Sequence, residues 1–276
     1  LEDFFAYDQM AYRPLAQFGW QVDEVSWRCE DVCWDDYAIV VIRSPWDYQS
    51  DPQKFIDVLQ KIDRSRARLE NSLQTVLWNI DKTYLRDLHS RGVTIVPATW
   101  CSPLTRRGLE QAFAEFRVDQ IVVKPTVGAN ADDTFWLRFD SADDQFDRVV
   151  KTFVQRSAFV QPFMQSVIDE GEYSLFYFGN TYSHCVLKSP KSGDFRVQEE
   201  HGGTIRSYEP QQDLLVAGRR AIEAIEQDTL YARVDLVRLP DGRPAVMELE
   251  LIEPSLYFPY DAGSPGRFAQ ALNDLF

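Results

Sequence analysis

Two stretches near the C-terminus, YARVDLVR (231–238) and VMELELIEPSL (246–256), put acids where pleated strands would gather them. Between them Leu239-Pro-Asp-Gly-Arg-Pro244 carries Asp-Gly, a strong hairpin signal between apolar runs. Closing the turn on Pro240/Arg243 or on Leu239/Pro244 gives a single register, in which paired residue numbers sum to 483. That register sets Asp235 opposite Glu248 and Arg233 opposite Glu250, all on one face because side chains alternate along a strand. Val234, Leu236, Met247 and Leu249 then read as the core side. Like charges facing each other destabilise a sheet. Three carboxylates on one face therefore indicate either a hard divalent cation held by oxygens or a solvated face with Arg233 as counter-ion.

Cations fall at matching places. Lys124 ends an apolar strand, Pro125 stops it, and the small-residue segment Thr126–Asp133 follows. A lysine at a strand end beside backbone N–H groups suits a phosphate, although one glycine is a thin signal. Lys82 sits in the first turn of a helix, where a surface lysine is the alternative. Lys188, Arg196 and His201 cluster within LKSPKSGDFRVQEEHGG (187–203), ahead of the tight Gly202-Gly203 pair. Two cations and a glycine pair near three acids fit a nucleoside triphosphate and its metal. Neither G-x-x-x-x-G-K-[ST] nor G-x-G-x-x-G occurs, so P-loop and Rossmann modes are unsupported. Arg43, Ser44, Trp46 and Asp47 lie just past a strand end, where open α/β sheets bind ligands. Arg43 reads as a clamp for a substrate carboxylate, or as a partner of Trp46 or Asp47. His201 either touches substrate or caps its loop, and Tyr257, Phe258 and Tyr260 are candidate pocket walls.

The elements alternate as in layered α/β proteins. Strands are expected at 37–43, 93–96, 120–124, 135–138 and 157–161, and helices at 52–64, 81–90, 105–116 and 141–153. Asp51 and Asp81 serve as N-caps and Gly92 as a helix stop. After Gly171, strands 172–178 and 181–187 flank Gly179-Asn180 as a hairpin. Helix 211–227 leads into the acidic hairpin, and helix 265–275 closes the chain. The early part predicts an open parallel sheet, the later part antiparallel sheets with helices on one side.

The chain has 276 residues with 45% hydrophobic content, enough for large cores, and 13% aromatics argue against disorder. Its net charge of −14 makes nucleic acid an unlikely general partner. No apolar run reaches transmembrane length and no secretory leader pattern is legible. Cys29, Cys33, Cys101 and Cys185 lack zinc spacing and read as free buried thiols of a reducing, cytoplasmic setting. Trp20, Trp27, Trp34 and Trp78 read as N-terminal core.

In order along the chain, VVIRSPWDY (40–48), LWNIDKTYL (77–85), VVKP (122–125), FVQPFM (159–164), GEYSLF (171–176), GDFRVQEEHGG (193–203) and MELELIEPSLY (247–257) resemble the ATP-grasp superfamily. Within it the chain is similar to the glutathione-synthetase-like and ribosomal-protein-modifying ligase branch, and most to the ligase group of D-cycloserine biosynthesis. The resemblance implies an α/β (α+β) ATP-grasp fold: an N-terminal substrate-side domain over 1–96, a small ATP-grasp lobe over 97–162 and a C-terminal lobe with the metal site over 163–276. It implies a further strand ahead of Leu1. It also implies roles. Lys82 and Lys124 match the lysines at the α/β-phosphates and adenine. Gln161, Pro162, Phe163 and Met164 match the adenine-reading linker, with Gln161 where the family often has Glu. Glu172 matches the ribose-binding acid. Asp235, Glu248 and Glu250 match ligands of one or two Mg2+ ions, Glu250 standing where some relatives have Asn. Lys188 and Arg196 match the catalytic cations near the γ-phosphate and acyl-phosphate. Arg43, Ser44, His201, Gly202 and Gly203 are the substrate candidates.

The implied activity is carbon–nitrogen ligation of a carboxylate and an amine, driven by ATP through an acyl-phosphate. Small amino acids or dipeptides are the expected substrates, with neither nucleic acid nor membrane as partner. Relatives form dimers or tetramers, so a homo-oligomer is open. Two other classes stand beside this: a kinase or acyl-phosphate former without amine ligation, and a non-catalytic nucleotide-binding module.

Overall fold

A computed structural model describes residues 6–141 and 143–276. The N-terminal part holds helix α1 (Tyr12–Gln17) and strand β1 (Ile39–Val41). Helix α2 (Pro52–Asp63) crosses over to β2 (Arg68–Glu70), parallel to β1. Asp51 starts α2 by accepting the Lys54 N–H at 3.2 Å, and Pro52 fills the first turn, where its missing N–H costs nothing. Phe55, Val58, Leu59 and Ile62 form one buried face of α2, against Ile42, Leu69 and Val76. Helices α3 (Leu73–Asn79) and α4 (Tyr84–Ser90) follow.

The expected open parallel sheet is therefore only two strands wide among the described residues. The apolar run 93–96, expected to extend it, goes elsewhere. Ile95 bridges Val246 in parallel, and Val96 N–H donates to Val246 O. It covers the open edge of the C-terminal sheet, whose unpaired backbone groups need partners.

The next lobe is one antiparallel sheet with two helices on it. Its elements are β3 (Thr99–Cys101), α5 (Arg106–Phe116), β4 (Gln120–Pro125), β5 (Phe135–Arg138), α6 (Asp143–Thr152) and β6 (Ala158–Pro162), with strand order β3-β6-β4-β5. Leu109, Phe113, Ile121, Val123, Phe146 and Val160 fill its core.

The C-terminal lobe holds α7 (Gln165–Asp169), β7 (Glu172–Phe178), β8 (Thr181–Ser189), β9 (Thr204–Ser207), α8 (Gln212–Glu223), β10 (Tyr231–Arg238), β11 (Pro244–Glu250) and α9 (Ser264–Asn273). Its antiparallel sheet runs β11-β10-β7-β8-β9. Gly179 and Asn180 both have positive φ (+53° and +62°), as a type I′ hairpin turn requires. Helices cover both faces rather than one. Helix α8 packs through Leu214, Ala221 and Ile222 on the face of Leu175, Val234 and Leu236. Helix α9 packs through Phe268, Ala269 and Leu272 on the face of Phe176 and Phe178. Glu172 and Ser174 share that second face by strand alternation, beyond the reach of the α9 contacts, and there the sheet floors a pocket.

His184 shows how dry the covered end is. Its ring stacks on Phe176 at 4.3 Å and its Nε2 donates to Leu256 O at 3.0 Å. Burial pulls its pKa from 6.5 to about 4. The unfolded chain therefore binds this proton in a pH window where the folded chain does not. Stability present above about pH 6.5 is lost as pH falls toward 4, by up to about 3 kcal/mol. Denaturant unfolding at pH 7 and pH 5 should show that loss, and His184→Gln should remove this group's share of the slope. Among the cysteines only Cys185 is buried; Cys29 and Cys33 are exposed, Cys101 is intermediate, and all four are free. The tryptophans also divide: Trp27 and Trp34 pack in the N-terminal cluster, Trp20 joins the α9 cluster and Trp78 the α8 cluster.

Candidate active site

The acidic hairpin forms with the expected pairs, Arg233↔Glu250 and Asp235↔Glu248. Past Asp235 the register shifts by one, so Leu236 pairs with Val246 and the turn closes from Leu239 N–H to Arg243 O. The extra residue is a bulge at Met247. The two bulged residues turn to the same side, so Met247 joins Glu248 in the pocket wall and Val246, 1% exposed, takes the core place expected of Met247.

Each pocket acid on the strands is matched by a cation from a different element. Lys188 on β8 sits 2.5 Å from Glu172 Oε1 and 3.3 Å from Asp235 Oδ2. Arg233 forks onto Asp235 at 2.9 Å and also reaches Glu250. Ser174 Oγ donates to Asp235 Oδ1. Lys82, in the turn just ahead of α4 rather than in the helix's first turn as expected, sits 2.9 Å from Glu248. Like charges can face one another here because these cations interleave them.

The electrostatics follow. Burial pushes Asp235 up, but Arg233 and Lys188 outweigh it and hold the carboxyl down at about 2. Burial dominates at Glu250 and raises it to about 8, with Glu248 and Asp235 adding to the rise against Arg233. Glu172 is raised, again chiefly by burial. Lys82 is held charged against its burial by Glu248, Glu253 and Glu250. Lys124 is lowered by its burial, and its ammonium lies 3.3 Å from Met247 Sδ.

Loops close the pocket. Lys82 N–H donates to Thr126 O, and its ammonium donates to Gly128 O at 2.7 Å, so the turn ahead of α4 holds the 126–133 segment. Three non-glycine residues of that segment, Asn130, Ala131 and Asp133, have positive φ. His201 Nε2 meets Asn130 O at 3.2 Å, tying the 190–203 segment to it. Gly202 has φ +81°, and a Cβ on Gly203 would stand 2.1 Å from Val197 O. His201, Gly202 and Gly203 thus shape this loop and do not line the pocket. Phe195 packs edge-on to Trp136 and to Phe163, themselves stacked at 4.6 Å.

Other expected residues fall in three groups. Lys82, Lys124, Gln161, Pro162, Phe163, Met164, Glu172, Lys188, Arg196, Asp235, Glu248 and Glu250 all line one pocket. Arg196 is there, but its guanidinium pairs with Asp194 at 2.7 Å and not with the acids that Lys188 holds. Arg43 and Ser44 are not in the lining: Arg43 bonds Asp8 and Pro254 O, and Ser44 Oγ donates to Asp8. Sequence reasoning passed over Arg233 as a mere counter-ion and Glu253 altogether. Arg233's spacing of two from Asp235 was the available signal; Glu253 had none.

The three acids do not make a ready cation cage. Among the described residues no three His, Cys, Asp or Glu side chains converge closely enough to hold a metal. Asp235 is fully engaged, whereas Glu248 and Glu250 keep 29% and 20% side-chain exposure toward the pocket. Two carboxylates with substrate phosphates is the usual Mg2+ arrangement, and this all-oxygen donor pair fits it.

A small antiparallel lobe and a larger one enclosing a pocket of lysines and acids, beside an N-terminal α/β part, define an ATP-grasp ligase. Residues 2–71 match the family model for the N-terminal domain of D-cycloserine synthetase DcsG. The cycloserine biosynthesis protein DcsG of Streptomyces lavendulae is 30% identical over 267 residues, spanning 92% of this chain and 88% of that one. A crystal structure of D-cycloserine synthetase DcsG superposes with a TM-score of 0.86 at 27% identity, covering 97% and 93% of the two chains. The ATP-grasp ligase PsnB, solved with a minimal precursor, shares the fold at TM-score 0.68 and 16% identity, with 97% and 95% covered. The D-alanine–D-alanine ligase of Bacillus anthracis does so at 0.61 and 14%, with 79% and 74% covered. The chain belongs to the DcsG family of ATP-grasp ligases, and it is an ATP-dependent carboxylate–amine ligase.

Proposed function

We propose that this ligase joins a small amino acid or dipeptide carboxylate to an amine through an acyl-phosphate, with ATP seated between the two ATP-grasp lobes. The observation that carries the reading is the cation set at the pocket floor, Lys188 and Arg233, held on acids of β7, β10 and β11.

Gln161 supports the nucleotide's placement. It is 1% exposed, and among the described residues neither amide atom has a hydrogen-bond partner, in a pocket wall shared with Val122, Met164 and Met247. An adjacent donor and acceptor are what adenine's N6/N7 edge satisfies. Lys124 and Lys82 then stand toward the phosphates. Glu248 and Glu250 would hold Mg2+, which when bound screens the phosphate charges. Transfer brings two anions together. Lys188 and Arg233 stabilise the charge on the moving phosphoryl group and on the acyl-phosphate. The amine attacks the acyl carbon, phosphate departs, and no nucleophile on the protein is needed. The 126–133 and 190–203 segments, joined through His201, exclude water that would hydrolyse the intermediate.

The test is phosphate release from Mg-ATP with panels of carboxylates, with and without an amine, using hydroxylamine to trap an acyl-phosphate as a hydroxamate. Hydroxamate formation together with amine-dependent release is expected. ADP formation that ignores the amine would instead favour a kinase.

A further inference from the structure

Lys188, the cation assigned above to the moving phosphoryl group, reaches the pocket on a long stem with many rotamers, yet it is only 2% exposed. Two acids hold its ammonium. Glu172 Oε1 lies 2.5 Å away and Asp235 Oδ2 3.3 Å. The two are not equivalent. Asp235 also accepts from Ser174 Oγ and takes a fork from Arg233 at 2.9 and 3.0 Å, so Lys188 is its third partner. Among the described residues Glu172 has a single ion-pair partner, and that partner is Lys188. A charge-assisted bond that is both shorter and unshared is the stronger of the two.

The backbone is built to make this pair. Antiparallel register sets Glu172 directly opposite Lys188, where Cβ atoms stand about 5 Å apart. Asp235 is a diagonal neighbour: it pairs with Ser174, which in turn faces Val186 on β8. Gly171, at φ +110°, leads into β7, and a Cβ there would stand 2.5 Å from Lys188 O. Glycine alone allows that conformation and that approach together, and the approach brings Glu172 onto the ammonium. Ile205, the neighbour of Lys188 on β9, is apolar and offers no other anchor. Glu172 lines the pocket beside Lys188, so a nucleotide's sugar would have to compete for it. A sugar hydroxyl is a neutral donor, and drawing Glu172 to it exchanges a charged bond for a weaker one.

We infer that Glu172 is a positioning residue for phosphoryl transfer: it holds the Lys188 ammonium at the moving phosphoryl group and does not read the nucleotide's sugar. This rests on the role proposed for Lys188. Glu172 acts through that lysine alone, so its contribution disappears when the lysine is absent. It belongs to the rate of transfer rather than to the affinity for nucleotide.

The experiment is a double-mutant cycle read by single-turnover phosphoryl transfer from Mg-ATP, with calorimetric titration of Mg-ADP and of its 2′-deoxy and 3′-deoxy forms. Glu172→Met, which cannot hold the ammonium, should slow transfer about 100-fold, the cost of misplacing a reacting group by about 1 Å, with Mg-ADP affinity largely unchanged. Glu172→Gln, whose amide oxygen still accepts from Lys188, should recover most of that loss. In a Lys188→Met background Glu172→Met should slow transfer no further. The preference for ADP over its deoxy forms should be the same in the native chain and in Glu172→Met. A deoxy preference that collapses in Glu172→Met would place Glu172 on the sugar and overturn the inference. Losses that add in the double variant overturn it as well, as does near-native transfer in Glu172→Met. If Lys188→Met itself transfers at the native rate, the reading of Lys188 fails and this inference falls with it.

Discussion

Replacing Lys188 by methionine is expected to lower kcat for ATP-dependent ligation about 1,000-fold, while Mg-ADP affinity changes far less. The size comes from removing one preorganised charge from a site that excludes water, where such groups contribute about 4 kcal/mol to the barrier. Lys188 is 2% exposed and bridges Glu172 and Asp235. Its loss leaves both acids without that cation. Asp235 still has Arg233 and Ser174. Glu172, already raised by its burial, takes up a proton instead. The variant therefore folds with reduced stability, and Lys188→Arg, which keeps the charge, separates the two effects. Single-turnover kinetics give the answer: a variant that binds nucleotide but fails to transfer supports the assignment, and near-normal transfer contradicts it.

Replacing Glu248 by glutamine is expected to lower turnover by about the same order, for a different reason. Glu248 is one of the two hairpin carboxylates that keep side-chain exposure toward the pocket. The amide keeps shape and can still accept from Lys82, whose second bond to Gly128 O is untouched. What disappears is charge, so the effect appears in metal-dependent nucleotide affinity as well as in rate. A variant whose loss is recovered by raising Mg2+ fits the assignment. One whose loss ignores Mg2+ points to the Lys82 tether instead.

Much of the floor of this site was legible before any coordinates, because a hairpin with an Asp-Gly turn fixes which residues face each other. Arg233, Asp235, Glu248 and Glu250 share a face for that reason. The bulge at Met247 was not legible, since nothing local in VMELEL distinguishes a regular strand from one with an extra residue. Strands β2, β3 and β9 were missed because three- and four-residue edge strands offer no alternation to count. Helix α3 was missed for lack of a separate start signal beyond Ser72, whose side chain caps it. Residues 93–96 were read as a strand, but their partner is Val246, about 150 positions away, which local pattern does not reveal. Glu253 and Ser255 belong to a wall that Trp46 of the N-terminal part joins, with Tyr48 bonding Glu253 from behind it. Such walls are tertiary, and sequence spacing does not encode them.

The central claim is that Glu248, Glu250 and the surrounding lysines hold a magnesium-bound triphosphate. Calorimetric titration of ADP and a non-hydrolysable ATP analogue, with Mg2+ and again with EDTA, tests it most directly. Affinity that weakens at least about tenfold without the metal in the native chain, and no longer responds to it in a Glu248→Gln, Glu250→Gln double variant, is the expected result. Binding that is equally tight with and without Mg2+, or equally metal-dependent in the double variant, would contradict it.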